Sequence, residues 1–461
     1  MATDVTPPHQ HGHFHRIGRW LPDNSKILLD WVRKFVKKVD DDEACWDPEQ
    51  WPVPVQNLRN LIERNTTRLR MLASAMFDEV PTKPPYDKDP VGNKQVRNYK
   101  HMLQLFACIA TNLAPEWSET EYGVGLIGFP FNAILDWPMA TPSGYAFFLE
   151  PEVNEIFKDI LNHWKDTVLT TDKSLYVLTE DSNGWLSEEA RTTIMQDTNV
   201  DGGQDPPFEK VFLCNKTADH WNFTSWDNFF VREFRDIDEY RPVDHKEDPK
   251  WIVNACESKP FARQEEVREH DTFWLKGQPY SVAEMVNNDP KGADFIGGTV
   301  YQAFLSATSY HRWNSPVKGI VTSAYVIDGT YFSEPTITGF WNPDGPDPAA
   351  PDQAQGYITH VATRAVFFIQ ADHPVGPMCV IFVGMADVST CEIKEKFQGT
   401  NISVPVEKGE ELGMFHHGGS THALLFRKGL KLSWVPTSDP GTAERNLPIR
   451  SELAVVESDT D

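Results

Sequence analysis

Residues 408–428 read KGEELGMFHHGGSTHALLFRK, and this stretch governs how the second half of the chain is interpreted. Gly418 and Gly419 are a turn signal, and the apolar run at residues 420–426 that follows them predicts a β-strand. Adjacent glycines permit a strained backbone and a close approach to a carbonyl. Ser420 can therefore attack the carbonyl of Gly419, exchange the amide for an ester and cut the chain by β-elimination. By composition alone, the same Gly-Gly-Ser-Thr sequence is more often an ordinary turn.

The sequence on the N-terminal side of this stretch divides into a helical half and a strand-rich half. Apolar residues recur with the helical period at residues 27–39, 55–76, 102–113 and 153–168. Asn24 or Ser25 is suited to cap the first of these helices, and Pro151 is suited to begin the last. Runs rich in β-branched and aromatic residues predict strands at residues 319–327, 365–369, 378–383 and 423–426.

These patterns predict an α+β fold class, in which a helical N-terminal region is followed by a β-rich, sandwich- or barrel-like catalytic domain. We expect residues 1–20 to be disordered, residues 21–210 to form the helical domain and residues 221–461 to form the catalytic domain. Residues 129–144 are unusually apolar and Pro-rich for a connection. They either cover the active site or simply join two helices.

Composition excludes several classes of partner. A formal net charge of -24 argues against nucleic acid and anionic membrane surfaces as partners. No signal peptide is visible, and no uncharged apolar stretch is long enough to span a bilayer. The six cysteines are scattered, so we expect them to be reduced and the protein to be cytoplasmic. Alternating histidines at residues 9–15 are better explained by a disordered terminus than by metal binding, and no metal site is predicted. The oligomeric state cannot be deduced from the sequence.

Several motifs in one order resemble the phosphatidylserine decarboxylase family. The stretch quoted above is similar to that family's processing site, K-G-x-E-x-G-x-F-x-x-G-S-T, with one extra residue after Phe415. The similarity continues in WDNFFVR at residues 226–232, RPVD at residues 241–244 and YHRW at residues 310–313, and it covers roughly residues 221–437. A fungal branch of the family, which includes L-tryptophan decarboxylase, is more similar still. Its shared features are FLC, ACES and MFH at residues 212–214, 255–258 and 414–416, and a long helical N-terminal extension.

The resemblance implies a chemistry. The chain would cut itself between Gly419 and Ser420, and Ser420 would become a pyruvoyl group. That group would form a Schiff base with the amine of a small-molecule substrate and accept the electrons released with CO2. His311 would be the acid that returns a proton, although it could also be a hydrogen-bonded structural histidine. The implied substrate is an L-amino acid, with an aromatic one such as tryptophan as one option.

The sequence departs from the family pattern at two positions. Glu257 replaces the aspartate of P-A-D-G, as it does in the fungal branch, and is expected to orient the processing base unless it is a buried ion-pair partner. Asn314 replaces the second histidine of Y-H-R-x-H, and an amide cannot act as a base near neutral pH. Two histidines flank Ser420: His417, and His422, which would share a strand face with it. Either could supply the missing imidazole, or both could be incidental.

The second departure leaves other functions open. An unprocessed relative could bind a small molecule or a partner without decarboxylating, or could use the uncut pocket for other chemistry. A phosphatidylserine decarboxylase is the remaining alternative, against which the lack of a membrane segment argues.

Overall fold

The computed structural model describes residues 20–22, 24–80, 95–200, 206–275, 277–335, 354–387, 390–417, 420–440 and 445–457. Residues 1–19, which include the alternating histidines and nearly all of the segment expected to be disordered, lie outside these ranges. Trp20, the last residue of that segment, is described and is buried. The turn formed by Gly418 and Gly419 also lies outside them.

Helices dominate the first half, as the apolar period predicts. The α-helices α1 to α13 are, in chain order, Ser25–Asp41, Val53–Arg64, Leu69–Asp78, Tyr99–Asn112, Pro130–Met139, Pro142–Phe148, Pro151–Trp164, Glu188–Thr198, Phe208–Val211, Trp226–Phe230, Ile237–Tyr240, Val282–Met285 and Gln355–Val361. Asn24 caps α1 by accepting a hydrogen bond from the amide of Lys26, and Pro151 begins α7. The predicted helical segments are therefore confirmed, with residues 55–76 divided between α2 and α3.

Strands dominate the second half. The β-strands β1 to β15 are, in chain order, Glu119–Thr120, Gly123–Val124, Trp251–Val253, Lys259–Gln264, Thr299–Leu305, Arg312–Asn314, Gly319–Ile327, Arg364–Ala371, Pro377–Gly384, Thr390–Ile393, Gly399–Val406, Glu411–His416, Ser420–Phe426, Leu432–Trp434 and Glu452–Val456. The largest sheet is antiparallel and seven-stranded, in the order β11-β7-β8-β9-β13-β5-β4. Two three-stranded sheets have the orders β10-β12-β6 and β14-β15-β3.

This arrangement confirms the α+β class. Because the seven-stranded sheet ends in the edge strands β11 and β4, the described part of the chain forms an open sheet and no closed barrel. Every strand predicted from the sequence falls within an observed strand, and β7 has the predicted bounds.

The central strand β13 is covered on both faces. Ala423 and Leu425 point into one apolar cluster that also contains the N-terminal helices, whereas Leu424 and Phe426 point into a second cluster. On this second face, Trp313 of the β10-β12-β6 sheet stacks on Phe382 of the large sheet at 4.2 Å. The first cluster contains residues from both expected domains, and the division at residues 210–221 stays a prediction.

The prediction that the cysteines are all reduced is wrong for one pair. Cys45 and Cys108 form a disulfide with a Cα–Cα distance of 6.7 Å. The two residues are 63 positions apart in sequence, so their proximity arises from the packing of α4 against the end of α1 rather than from a recognisable local motif. Within the described ranges, none of the helices combines the length and the apolar character that crossing a membrane demands.

Candidate active site

Ser420 is the first residue of β13 and is completely buried. Its Cα pairs with those of Leu305 on β5 and Gly384 on β9. Because Gly384 has no side chain, Ser420 lacks a cross-strand side-chain neighbour on that side. The Ser420 Oγ makes no hydrogen bond within the part of the chain that the structure describes. Buried hydroxyls usually have a hydrogen-bond partner, so the Ser420 Oγ calls for an explanation.

His311 lies beside the same end of the sheet. Its Nε2 donates a hydrogen bond to the carbonyl of Ser306 at 3.1 Å, and Ser306 directly follows the residue opposite Ser420. The imidazole stacks on Phe230, with ring centroids 3.8 Å apart, and is tilted against Trp20 at 5.9 Å. Burial, together with the nearby charge of Arg232, holds the pKa of His311 well below its ordinary value. These surroundings therefore favour the neutral form of His311.

The short helix α10 packs against this region on the side of the N-terminal helices. Ser225 caps the helix, and the next residue but one, Asp227, accepts hydrogen bonds at 3.1 and 3.0 Å from the Nδ1 of His416. The same carboxylate lies 3.6 Å from the Nδ1 of His417. Since Phe230 belongs to this helix too, α10 contacts both His311 and the two histidines that precede the expected cleavage point.

The adjacent histidines His416 and His417 differ in the direction of their pKa shifts. Burial opposes a charge on His416, but the hydrogen bonds and charges of Asp227 and Glu392 outweigh it and raise the pKa of His416. Its Nε2 donates to Glu392 at 3.0 Å. For His417, burial outweighs Asp227 and lowers the pKa. Burial disfavours the charge of Asp227, but both histidines favour it and hold its pKa below the ordinary value. The surroundings thus favour a charge on His416 and disfavour one on His417.

The loop between β5 and β6 is fixed by buried polar contacts. The Nη2 of Arg232 donates to the carbonyls of Thr308 at 2.6 Å and Ser309 at 3.0 Å. Asp197 accepts a hydrogen bond from the hydroxyl of Ser306 at 2.8 Å and another from that of Thr308. These contacts hold the Ser306 carbonyl, and so His311, in place.

The structure does not place Glu257 and Asn314 in contact with Ser420. Glu257 is fully buried and forms an ion pair with Arg241, which is itself 3% exposed. Burial raises the pKa of Glu257, and Arg241 opposes that rise. Asn314 donates from its side chain to the carbonyl of Gly409 at 2.5 Å. No hydrogen bond that the structure describes joins either residue to the serine.

His422 shares the strand face of Ser420, as alternation predicts. Its Cα pairs with that of Phe382, and its ring lies 6.4 Å from the Phe382 ring and 6.3 Å from that of Tyr301. Neither ring nitrogen has a hydrogen-bond partner in the described ranges. Burial lowers the pKa of His422 to about 3.

Residues 129–144 contact Trp20 and Asp387, which lie near the end of the sheet where β13 begins. Phe129 stacks on Trp20 at 4.4 Å, and the indole of Trp20 donates to the carbonyl of Leu305 at 3.2 Å. Asp387, three residues beyond β9, accepts hydrogen bonds from the amides of Phe131 and Asn132 at 2.9 and 3.1 Å. Both options that the sequence left open for this segment stay predictions.

Sequence reasoning gave no role to Asp227, Phe230, Trp20 or Asp387. The first two stand in the WDNFFVR motif, so the motif was a signal, but it did not show what the side chains contact. Trp20 and Asp387 carry no local signal, because their partners are far away in sequence.

Comparisons with known proteins identify relatives of this chain. Two family models, both described as phosphatidylserine decarboxylase, match residues 52–194 and 226–441. Decarboxylase iboD of Amanita muscaria is 39% identical over 309 residues, which cover 65% of this chain and 84% of the relative. L-tryptophan decarboxylase of Psilocybe cyanescens is 36% identical over 331 residues, or 70% of this chain and 73% of the relative. A phosphatidylserine decarboxylase proenzyme of Clostridium perfringens is 24% identical over 294 residues, which cover 64% of this chain and 82% of the relative.

These matches identify the chain as a carboxy-lyase. Its relatives lie among fungal decarboxylases as well as bacterial proenzymes. The chain belongs to the phosphatidylserine decarboxylase family and to the fungal branch of it, and this family generally depends on a pyruvoyl group.

Proposed function

We propose that this enzyme decarboxylates a small-molecule L-amino acid and forms its pyruvoyl group by cutting itself between Gly419 and Ser420. The observation that carries the proposal is the Ser420 hydroxyl, which is fully buried at the start of a central strand and has no partner in the described ranges. A pyruvoyl group at this position would face no side chain from Gly384, and His311 hydrogen-bonds to the residue that follows the neighbouring strand.

Self-cleavage requires a defined sequence of bonds. The Ser420 Oγ bonds to the Gly419 carbonyl carbon, and the amide C–N bond breaks to leave an ester and a free amine. A base then takes the Cα proton of Ser420, the ester C–O bond breaks, and the Gly419 carboxylate leaves. Water releases the nitrogen as ammonia. A serine hydroxyl is barely ionised at neutral pH, so the first step needs a base.

The pyruvoyl group supplies the electron sink for loss of CO2. His311 would hold the substrate carboxylate and then deliver a proton to the α-carbon. A carboxylate brought next to the neutral imidazole would raise its pKa, so substrate binding would charge it. Trp20, Phe129 and Phe230 are each at most 3% exposed and would exclude water from this step.

The same three aromatic rings favour a substrate with an apolar or aromatic side chain, since Phe230 and Trp20 pack against His311 and Phe129 stacks on Trp20. The names of the Psilocybe relatives, L-tryptophan decarboxylase, support this substrate class. Purified protein should be incubated with single amino acids while CO2 and amine are measured. Turnover of phosphatidylserine alone would refute the proposed substrate class.

Intact-mass measurement tests the processing step. We expect two chains, the smaller one running from residue 420 to Asp461 with a blocked, pyruvoyl N-terminus, and we expect Ser420→Ala to remain whole and inactive. A full-length chain that still forms amine, unaffected by Ser420→Ala, would overturn the pyruvoyl mechanism. A full-length chain without activity would instead support the unprocessed, non-decarboxylating alternative.

A further inference from the structure

We propose that Gln302 is a positioning residue that holds Thr421, the residue to which the proposed pyruvoyl group would be joined by an amide bond. The inference rests on the proposed function, because it concerns the cofactor after the chain is cut. Gln302 lies on β5 and Thr421 on β13, and both are completely buried. Gln302 would act through the hydroxyl of Thr421 rather than on the substrate.

The strand register brings the two side chains together. The Cα of Gln302 pairs with that of Ala423, and Thr421 is two residues before Ala423, so all three side chains lie on one face of the sheet. This is the face covered by the N-terminal helices, because Ala423 belongs to the first apolar cluster. Across the diagonal, the Nε2 of Gln302 donates a hydrogen bond to the Oγ1 of Thr421 at 3.0 Å.

The neighbouring hydrogen bonds fix the direction of this contact. Thr421 donates its one hydroxyl proton to the carbonyl of Ala303 at 2.9 Å, so towards Gln302 its oxygen is an acceptor. Thr359 on α13 repeats the pattern, since it donates to the carbonyl of Gln355 and accepts from Gln302, both at 2.8 Å. The amide nitrogen of Gln302 has two protons, one for each hydroxyl. Its longer contact of 3.1 Å with the Gln355 carbonyl can share one of them.

The oxygen of the Gln302 amide is held separately. The hydroxyl of Tyr280 donates to the Oε1 of Gln302. Burial raises the pKa of Tyr280, so this hydroxyl keeps the proton that it donates. Because different partners hold its oxygen and its nitrogen, the amide group of Gln302 is fixed in rotation as well as in place.

The proposed cut gives this network a function. Conversion of Ser420 to a pyruvoyl group removes its backbone N–H and its bond to Gly419, so Thr421 becomes the first intact amino acid of the small chain. Chain ends are poorly ordered unless they are tied down. A side-chain anchor at Thr421 would keep the amide that carries the pyruvoyl group in place. Such placement matters, because a shift of about 1 Å in a reacting group can cost ~100-fold in rate.

Turnover per cut chain tests the proposal, with the amino acid that the enzyme decarboxylates fastest. Gln302→Met removes both donors, and Thr421→Val removes the acceptor with little change of shape. Each variant should lower kcat by at least ~10-fold and leave KM within about threefold, because the carrier of the cofactor is displaced rather than the substrate pocket. The mass of the small chain shows which molecules carry the pyruvoyl group, so incomplete cutting is not mistaken for slow turnover.

The matched control is Thr198→Val. Thr198 is 1% exposed, and its hydroxyl donates to the carbonyl of Ile194 at 2.7 Å within α8. Loss of this buried hydroxyl should leave kcat within about threefold of wild type, because its hydrogen bond lies inside one helix.

The double variant Gln302→Met/Thr421→Val separates positioning from general damage. If the two residues act through one hydrogen bond, its kcat should be within about threefold of the slower single variant. Independent effects would instead multiply to a loss of at least ~100-fold.

The outcomes are distinguishable. A wild-type chain that is not cut and forms no amine refutes the proposed function and this inference with it. With an active wild type, the inference alone is overturned by a normal kcat in Gln302→Met or Thr421→Val, by an equal loss in Thr198→Val, or by multiplied losses in the double variant. A folded Gln302→Met chain that stays uncut also contradicts it, because the assigned role begins after the cut. If Gln302→Met does not fold, Thr421→Val and its control still decide.

Discussion

The buried ion pair between Arg241 and Glu257 gives a prediction that separates structural from chemical roles. Arg241 also donates to the carbonyls of Tyr240, at 2.6 Å, and Thr198, so Glu257→Ala leaves a guanidinium buried without its anion. Breaking such a pair costs about 3–5 kcal/mol, a large share of a typical stability of about 5–15 kcal/mol. Replacing both partners by apolar residues removes the charge penalty. Relative to Glu257→Ala, the double variant then loses the two carbonyl hydrogen bonds of Arg241, at about 1 kcal/mol each.

The double variant Arg241→Met/Glu257→Leu should therefore be more stable than Glu257→Ala by about 1–3 kcal/mol, although it carries more changes. Urea unfolding measures this difference in the free energy of unfolding, and a Ser420→Ala background keeps the chain whole during the measurement. With Ser420 restored, the folded double variant should still be cleaved. A double variant that folds but is not cleaved would show that Glu257 takes part in the chemistry and would refute the structural account.

Two further predictions concern histidines. His311→Gln should leave cleavage within a few fold of wild type but reduce decarboxylation by about 10²–10⁴-fold, measured as amine formed per cut chain; normal turnover would exclude the role of proton donor. The pKa of His416 is raised in the folded state. The charged His416 side chain therefore stabilises the fold fully at pH values below its unfolded pKa of about 6.5, and this stabilisation is lost as the pH rises through its folded-state pKa. The difference in unfolding free energy between the Ser420→Ala chain and the same chain with His416→Gln should thus shrink as pH rises from about 6, and a constant difference would contradict the assigned charge.

Local patterns were sufficient to predict individual elements. The apolar period and Pro151 located α7, and the run between glycine and the next turn gave the bounds of β7, because these features depend on neighbours a few residues away. The order of the seven-stranded sheet was not predictable in this way. It places β13 between β9 and β5, and such pairings join segments that are distant in sequence.

The candidate site shows the same limit. Ser420 and His311 were found because each stands in a short motif whose spacing carries chemical meaning. The contact of Asp227 with His416 spans 189 residues, and that of Trp20 with Leu305 spans 285. Contacts of this length arise from packing α10 and the N-terminal helices against the sheet, and a single sequence contains no period or spacing that reports them.

The position of α10 connects maturation with turnover. Through Asp227 it holds the histidines that precede Ser420, and through Phe230 it holds the ring of His311. This five-residue helix therefore contacts both the histidines that precede the expected cleavage point and the acid expected to act in turnover. Self-cleavage need happen only once per molecule, so a slow reaction suffices where Asn314 stands in place of the usual imidazole. The acid that acts in every turnover cannot be replaced by a slow substitute, since it must stay beside the finished cofactor. This explains why the chain keeps His311 although Asn314 stands where the family pattern has a histidine.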